Sequence, residues 1–341
     1  MIDELHWWIH EAYSFNGNHI QPPPVDDILT TDASEMGWGA HLRNFQTNSV
    51  WLPCEQANHI IFLELLAVFK ALKNLCSKFR DIHICIQSDN SVAIAYINNM
   101  GGAIDSLHEL SKCIWLWCYK KSIYLSAKHI QGKFNLEADF LSRNFSNSTE
   151  WMLHENTFNK ICNYFGTPDI DLFASSLNYQ IESYVSWYPD PYCLACDAFT
   201  ISWNNYYPYI FAPFSLIPRI LNKLVLDKIA MAIMVVPAWS TQVWYPLLLS
   251  LLVDYPLLLP KRRDLLRLVH SGALHPLKGN SLRLTVCLVS GQTFRVEAFQ
   301  KSLQNSSLIH GDQKQTSNIN WLGIDGIFGV CKGKSIPYFH L

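Results

Sequence analysis

The chain has 341 residues, of which 49% are hydrophobic, and a formal net charge of -2. Its length suits about two domains, and its 12 Trp, 15 Tyr and 18 Phe exclude a disordered tail. A near-neutral chain is not a free-standing basic nucleic-acid binder, although a module gripping its substrate with help from neighbouring domains escapes that exclusion.

Residues 1–26 read as the end of a preceding region. Trp7 and Trp8 sit in a short helical pattern, Asn16-Gly17 marks a turn, and Pro22-Pro23-Pro24 forms a stiff connector. From residue 27 to 145 the pattern is regular. Ile28–Thr31, Gly37–Leu42 and Ser49–Leu52 are predicted strands of an antiparallel meander. A helix is predicted over Ile60–Lys78, with Ile61, Leu65, Val68, Leu72 and Leu75 on one face. Alternation in Ile82–Gln87 predicts a strand. Helices over Ser91–Asn99 and Ile104–Lys120 follow, separated by Gly101-Gly102, and then a strand over Ile123–His129. Asn135 suits the start of a last helix. The predicted order is βββαβααβα.

Asn144–Thr149 is a polar linker. A second α/β region is expected over residues 150–292, with Asp169–Phe173 and Ala230–Val236 as its best strands. Residues 293–341 are richer in Gly, Ser, Asn and Gln and are expected to be an irregular tail. The most apolar stretch, Val243–Pro260, is broken by Pro246, Asp254 and Pro256. Its longest clean run falls far short of the ~20 residues of a membrane helix, so no membrane partner is expected. Met1 is followed by Asp3 and Glu4 rather than a basic segment, and the ten cysteines show no framework spacing. Both features suggest a reducing, intracellular setting without secretion. Cys193 and Cys196 have CxxC spacing but no second pair, and read as ordinary thiols.

Four acids fall at informative places. Asp32 ends the first strand, Glu64 lies early in the first helix, Asp89 ends the fourth strand, and Asp139 opens the last helix. Glu64 is the odd one, because it sits among Ile60, Ile61, Phe62, Leu63, Leu65 and Leu66, where an unpartnered charge is costly. In a sheet where the first strand lies between the third and the fourth, Asp32 and Asp89 are adjacent, and the two helices bring Glu64 and Asp139 to the same edge. Four clustered carboxylates repel one another unless divalent cations lie among them. Hard oxygen ligands suit Mg²⁺, with Mn²⁺ as an alternative, and two such ions suit phosphodiester hydrolysis. His129, on a loop made flexible by Gly132, is a candidate proton carrier.

TDAS, GWGAHL, ELLAV, SDN and HIQGKFNLEADFLSR together resemble the type 1 ribonuclease H domain of retroelement reverse transcriptases. The SDN and AD-x-LSR forms are similar to gypsy-type and especially DIRS-like elements. The resemblance covers about Asp26 to Phe145. It implies an α/β fold with a ribonuclease H-like mixed sheet, and places the metal-binding quartet on Asp32, Glu64, Asp89 and Asp139 and the mobile histidine on His129. It also implies two Mg²⁺ ions, an RNA–DNA hybrid as substrate, and cleavage of the RNA strand to 5′-phosphate and 3′-hydroxyl ends. Ser34, Gly37, Asn90 and Lys133 are candidate substrate-binding residues, and Lys112, Lys120, Lys121 and Lys128 are further candidates for phosphate contacts. No polymerase YxDD-like pair is present, so residues 1–26 are read as the end of a thumb or connection, and the polymerase domain of the same element is the expected partner.

PDIDLFAS, DAFTISW, IFAPFSLIP and VVPAWSTQVWYPLL resemble the segment that follows ribonuclease H in DIRS-like elements, which is similar to phage-type adenine-N6 DNA methyltransferases. That resemblance implies a Rossmann-like second domain. Its Phe211-Ala212-Pro213-Phe214 loop lacks the polar head that accepts the target amine, so a degenerate, non-catalytic domain is expected. Three functions thus compete: an active hybrid ribonuclease, an adenine-N6 methyltransferase carried by residues 150–292, and an inactive or domesticated nucleic-acid-binding remnant.

Overall fold

The computed structural model describes Ile9 and residues 23–145, 151–268, 282–303 and 328–341. The readings on residues 1–8, 10–22 and the linker 146–149 lie outside the described residues. The chain divides into two compact units, Met1–Phe145 and Ser146–Leu341.

The first unit runs β1 (Asp27–Ala33), β2 (Gly37–Leu42), β3 (Phe45–Val50), α1 (Ile60–Leu75), β4 (Ile82–Ser88), α2 (Ser91–Asn98), α3 (Asp105–Tyr119), β5 (Ile123–His129) and α4 (Leu136–Arg143). This is the expected βββαβααβα order, with the addition of a one-turn helix at Pro53–Gln56 before α1 and a 3-10 turn at Gly132–Phe134 before α4. The five strands form one mixed sheet in the order β3-β2-β1-β4-β5. β1 is antiparallel to β2, which is antiparallel to β3, while β4 is parallel to β1 and β5 to β4. β1 therefore lies between β2 and β4, not between β3 and β4 as expected from the sequence. The tight turn after Ala33, closed by Ser34 N–H to Gly37 O at 2.8 Å, forces β2 onto one edge of β1, and only the other edge is left for β4.

α1 supplies most of the helical core. Leu63, Leu65, Ala67, Val68, Ala71 and Leu72 are almost completely buried, against Leu29, Trp38, Leu42, Ile84 and Ile86 of the sheet. Each such leucine stabilises the fold by about 1.5–3 kcal/mol relative to an exposed one. α4 closes onto β1 and β2 at Gly39. A Cβ there would lie 2.5 Å from Leu141 Cβ and 2.5 Å from Ser142 N, so glycine is what allows the helix to sit this close.

The second unit is built on a six-stranded sheet. Its spatial order is Phe339–His340, Leu257–Leu258, Leu284–Val289, Ala232–Pro237, Pro208–Ile210, Ile170–Asp171. Five of these strands run in the same direction, and Leu284–Val289 alone is antiparallel, to Ala232–Pro237 on one side and Leu257–Leu258 on the other. The first strand, Ile170–Asp171, lies at the sheet edge, and the expected Rossmann-like domain is not confirmed by this arrangement. The strand expected over Asp169–Phe173 shortens to Ile170–Asp171, because the Phe173 N–H turns back to Asp171 Oδ1 at 3.4 Å.

The expectation of an irregular tail after residue 292 also fails in the described residues. Thr293–Ser302 is a helix, Phe328–Cys331 pairs with Lys334–Pro337, and Phe339–His340 joins the main sheet. Ile336 and Tyr338 are fully buried, and the Tyr338 hydroxyl meets that of Tyr245 at 2.6 Å. Strands of two to four residues are too short to carry a readable period. Within Val243–Pro260 the chain forms the helix Tyr245–Ser250 and the strand Leu257–Leu258. Among the described residues, no helix is long and apolar enough to cross a membrane.

Candidate metal centre

The centre lies at the carboxyl ends of β1 and β4, where two parallel neighbours end side by side. Asp32 is the sixth residue of β1 and is almost fully buried. Asp89 follows β4 directly and is exposed. Glu64 projects from the second turn of α1 and is 6% exposed. One carboxylate oxygen from each of these three lies within 4.8 Å of the others.

Electrostatics within the cluster are unfavourable as it stands. Burial, then the charges of Asp32 and Asp89, push the Glu64 carboxyl up to about 9. Burial also pushes Asp32 up to about 6, with smaller contributions from Asp89 and Asp139, against the lowering effect of the Ser142 hydrogen bond. Glu64 Oε2 is buried and has no hydrogen-bond partner. An orphaned buried acceptor is costly, and hard divalent cations satisfy acceptors of this kind. The three-oxygen donor set therefore fits Mg²⁺ or Mn²⁺.

Asp139 stands apart from this trio. Its carboxylate Oδ1 accepts from Arg143 Nε at 2.8 Å, one helical turn along α4, with both side chains substantially exposed. The pair is an ordinary i,i+4 contact that the sequence already contained. His129 ends β5, and its Nε2 lies 3.1 Å from the Asp89 carbonyl oxygen. Nε2 is therefore the protonated nitrogen. A Cβ on Gly132 would lie 3.1 Å from Asp89 Oδ2, so the loop after β5 passes close to the cluster.

The candidate substrate residues divide. Ser34 is buried, its hydroxyl accepting from Gly37 N and donating to Ser142 O at 2.6 Å, so it braces the turn and α4. A Cβ on Gly37 would meet Phe145 Cζ and Ser49 O, each at 2.4 Å, so this glycine accommodates the protein's own chain. Asn90 Oδ1 accepts from Val92 N and Ala93 N and caps α2. Lys133 is exposed, with Nζ 5.0 Å from the Phe134 ring centre. Lys112 pairs with Glu109, and Lys121 donates to Ser77 O, while Lys120 and Lys128 are exposed.

Two residues here are not marked by the sequence as part of the site, Ser142 and Asn135, the latter expected only to start the last helix. Ser142 Oγ lies 2.7 Å from Asp32 Oδ2, and Asn135 Nδ2 lies 3.2 Å from Asp32 Oδ1. Both are buried, although a helix start and an LSR triplet read as surface. No pattern of spacing marks them.

In the second unit, Asp171 is almost completely buried, with its oxygens accepting from Phe173 N and Gln180 N. Phe214, the aromatic of the Phe211–Phe214 loop, packs edge-on to Trp239 at 5.3 Å between ring centres. Cys193 and Cys196 bring their sulfurs to 3.9 Å, but they are not among the groups of three potential metal ligands in the described residues.

No family model matches the chain. Over 142 residues it is 29% identical to the enzymatic polyprotein of cauliflower mosaic virus, in strain D/H and likewise in strain Strasbourg. The aligned part is 38% of this chain and 20% of the polyprotein, so the chain spans about a fifth of the length of the curated relatives it matches. Two solved structures resemble about a third of the chain. One is LC11-RNase H1 in complex with an RNA/DNA hybrid, with a TM-score of 0.30 and 17% identity over 34% of this chain and 93% of that one. The other is RNase H1 from the halophilic archaeon Halobacterium salinarum NRC-1, with a TM-score of 0.29 and 16% identity over 34% and 92%.

Proposed function

We propose that residues 27–145 form a ribonuclease H that hydrolyses the RNA strand of an RNA–DNA hybrid, as part of a retroelement polyprotein that also carries a polymerase. The convergence of Asp32, Glu64 and Asp89 within 4.8 Å, on a buried Glu64 oxygen that lacks a partner, carries this reading. The similarity to a viral enzymatic polyprotein is consistent with it.

Asp32, Glu64 and Asp89 would hold the divalent cations, and Asp139 would join them on leaving Arg143. Bound Mg²⁺ or Mn²⁺ supplies charge neutralisation and an activated water. The chain's own groups do the rest. Asp32 is held still by Ser142 and Asn135, so it offers its free lone pairs without reorganising. Glu64 sheds its proton as the cluster is neutralised. His129, with Nε2 donating to the Asp89 carbonyl, leaves Nδ1 to take a proton from the cleft and pass it to water. Exposed Lys128 and Lys133 lie beside this edge and suit phosphates of the incoming strand.

The test is a cleavage assay of the full chain on a hybrid labelled in its RNA strand, with Mg²⁺ and with chelator. Mg²⁺-dependent cutting of RNA in the hybrid, with duplex DNA spared, is expected. No cutting under any Mg²⁺ or Mn²⁺ condition, by a chain shown to be folded, would overturn the proposal in favour of an inactive remnant.

A further inference from the structure

Both oxygens of the Asp32 carboxylate accept hydrogen bonds from α4 and its N-terminal flank. Asn135 Nδ2 reaches Oδ1 at 3.2 Å, and Ser142 Oγ reaches Oδ2 at 2.7 Å. Ser142 is fully buried and cannot touch solvent or substrate. Its hydroxyl also lies 2.9 Å from the Asp139 carbonyl oxygen, but one hydroxyl has one proton. An ionised Asp32 is the stronger acceptor and wins it.

A purely structural role for this hydroxyl is already covered by other bonds. α4 is stapled to the sheet by Ser34 Oγ to Ser142 O at 2.6 Å, by Asn48 Nδ2 to Leu141 O at 2.9 Å, and by Asn135 Nδ2 to Thr31 O at 3.2 Å. None of these needs the Ser142 side chain. Its shortest bond goes to the one acid of the trio that is also deeply buried on the sheet. Each carboxylate oxygen has about two acceptor positions. Asn135 and Ser142 occupy one on each, which fixes the plane of the group and leaves one on each for a cation.

On the ribonuclease reading above, we infer that Ser142 is a positioning residue for Asp32, acting through its hydroxyl to pre-set a metal ligand, and that α4 thereby links the Asp32 and Asp139 ligands in one element. Losing such an outer hydrogen bond costs about 10–100-fold in metal affinity.

The experiment is Mn²⁺ titration calorimetry of the full chain, done without substrate, alongside the Mg²⁺ dependence of hybrid cleavage. Ser142→Ala should weaken Mn²⁺ binding by about tenfold or more and raise the Mg²⁺ concentration for half-maximal cutting in parallel. Ser142→Thr, which keeps the hydroxyl, should stay within about threefold of wild type. Ser142→Cys, a poor donor of similar shape, should behave like Ser142→Ala and serves as the test if the alanine variant misfolds. In an Asp32→Asn background, Ser142→Ala should change Mn²⁺ affinity no further. A folded Ser142→Ala or Ser142→Cys protein that binds Mn²⁺ like wild type overturns the inference and leaves the nuclease reading standing. A wild-type chain that neither binds Mn²⁺ nor cuts hybrid overturns the nuclease reading and this inference with it.

Discussion

Replacing Glu64 by Gln should stabilise the metal-free first unit at neutral pH while destroying its activity. Glu64 holds its proton to about pH 9 in the folded chain, against an ordinary value of 4.5, because it is buried and faces Asp32 and Asp89. At low pH both folded and unfolded chains carry that proton, and it contributes nothing. As pH rises past 4.5 the unfolded chain releases it and the folded chain does not, so stability falls with pH up to about 9. At ~1.4 kcal/mol per unit, the span from about pH 4.5 to pH 7 is worth roughly 3 kcal/mol, a large share of a domain's stability. Asp32, pushed up to about 6, acts in the same direction at lower pH. Gln keeps the shape and removes the ionisation. The assay is a denaturant titration in chelator at pH 5 and pH 7, pulse-labelled with deuterium at one common pH and read on peptides from β1 and α1, so that the second unit does not obscure the transition. Wild type should lose a few kcal/mol between the two pH values, and Glu64→Gln should lose much less. Adding Mg²⁺ should restore wild type at pH 7 by mass action and leave the variant unmoved. Equal wild-type stability at the two pH values, or a variant that tracks wild type, would refute the reasoning.

Asp89 is exposed, so Asp89→Asn should leave the fold intact and slow hybrid cleavage by at least ~10²-fold, checked by single-turnover rates beside an unchanged unfolding curve. Because Glu64 is protonated near neutrality, Mg²⁺ binding at pH 7 should release close to one proton, seen as a dependence of calorimetric heat on the buffer's ionisation enthalpy. Gly39→Ala places a methyl 2.5 Å from Leu141 Cβ and Ser142 N, and should cost about 1–3 kcal/mol while exposing α4 to early hydrogen exchange. Asp171 spends both oxygens on its own backbone, so calorimetry of the full chain with S-adenosylmethionine should show no binding, and measurable heat with methyl transfer to DNA would revive the methyltransferase reading.

The first unit is legible because its signals are long and agree with one another. α1 places apolar residues on one face over four turns, and β4 alternates over seven residues, so helix and strand periods are well separated. The carboxylates at strand ends are legible for a related reason. Asp32 and Asp89 stop apolar runs and precede turn or cap residues, and Glu64 is a charge where the helix pattern forbids one. What stays hidden is how polar side chains are spent. Ser34, Gly37 and Asn90 carry the composition of a substrate-binding edge, and in the structure they serve a turn, a close chain approach and a cap. Ser142, beside a charged residue at a helix end, has the composition of surface and is fully buried.

The second unit shows the limit from the other side. Three of its strands, Ile170–Asp171, Leu257–Leu258 and Phe339–His340, are two residues each, too short to repeat any pattern. Their pairing comes from chain that is distant in sequence: Leu257 pairs with Val286 and with Phe339. A reading that moves along the chain sees a polar, Gly- and Ser-rich end after residue 292 and expects irregular structure. The fold instead uses the last few residues, with Ile336 and Tyr338 buried and Phe339–His340 completing the sheet edge. The loop that resembles a methyltransferase's is likewise surrounded by chain distant in sequence. The loop's neighbours set its chemistry, and here Phe214 is packed on Trp239 while Asp171 is locked into its own turn. A site is therefore legible from one sequence when its residues break a strong local pattern, as Glu64 does. It is illegible when they conform to a weak one, which is why the acids at the carboxyl ends of β1 and β4 stand out in the sequence and the hydrogen bonds that hold Asp32 do not.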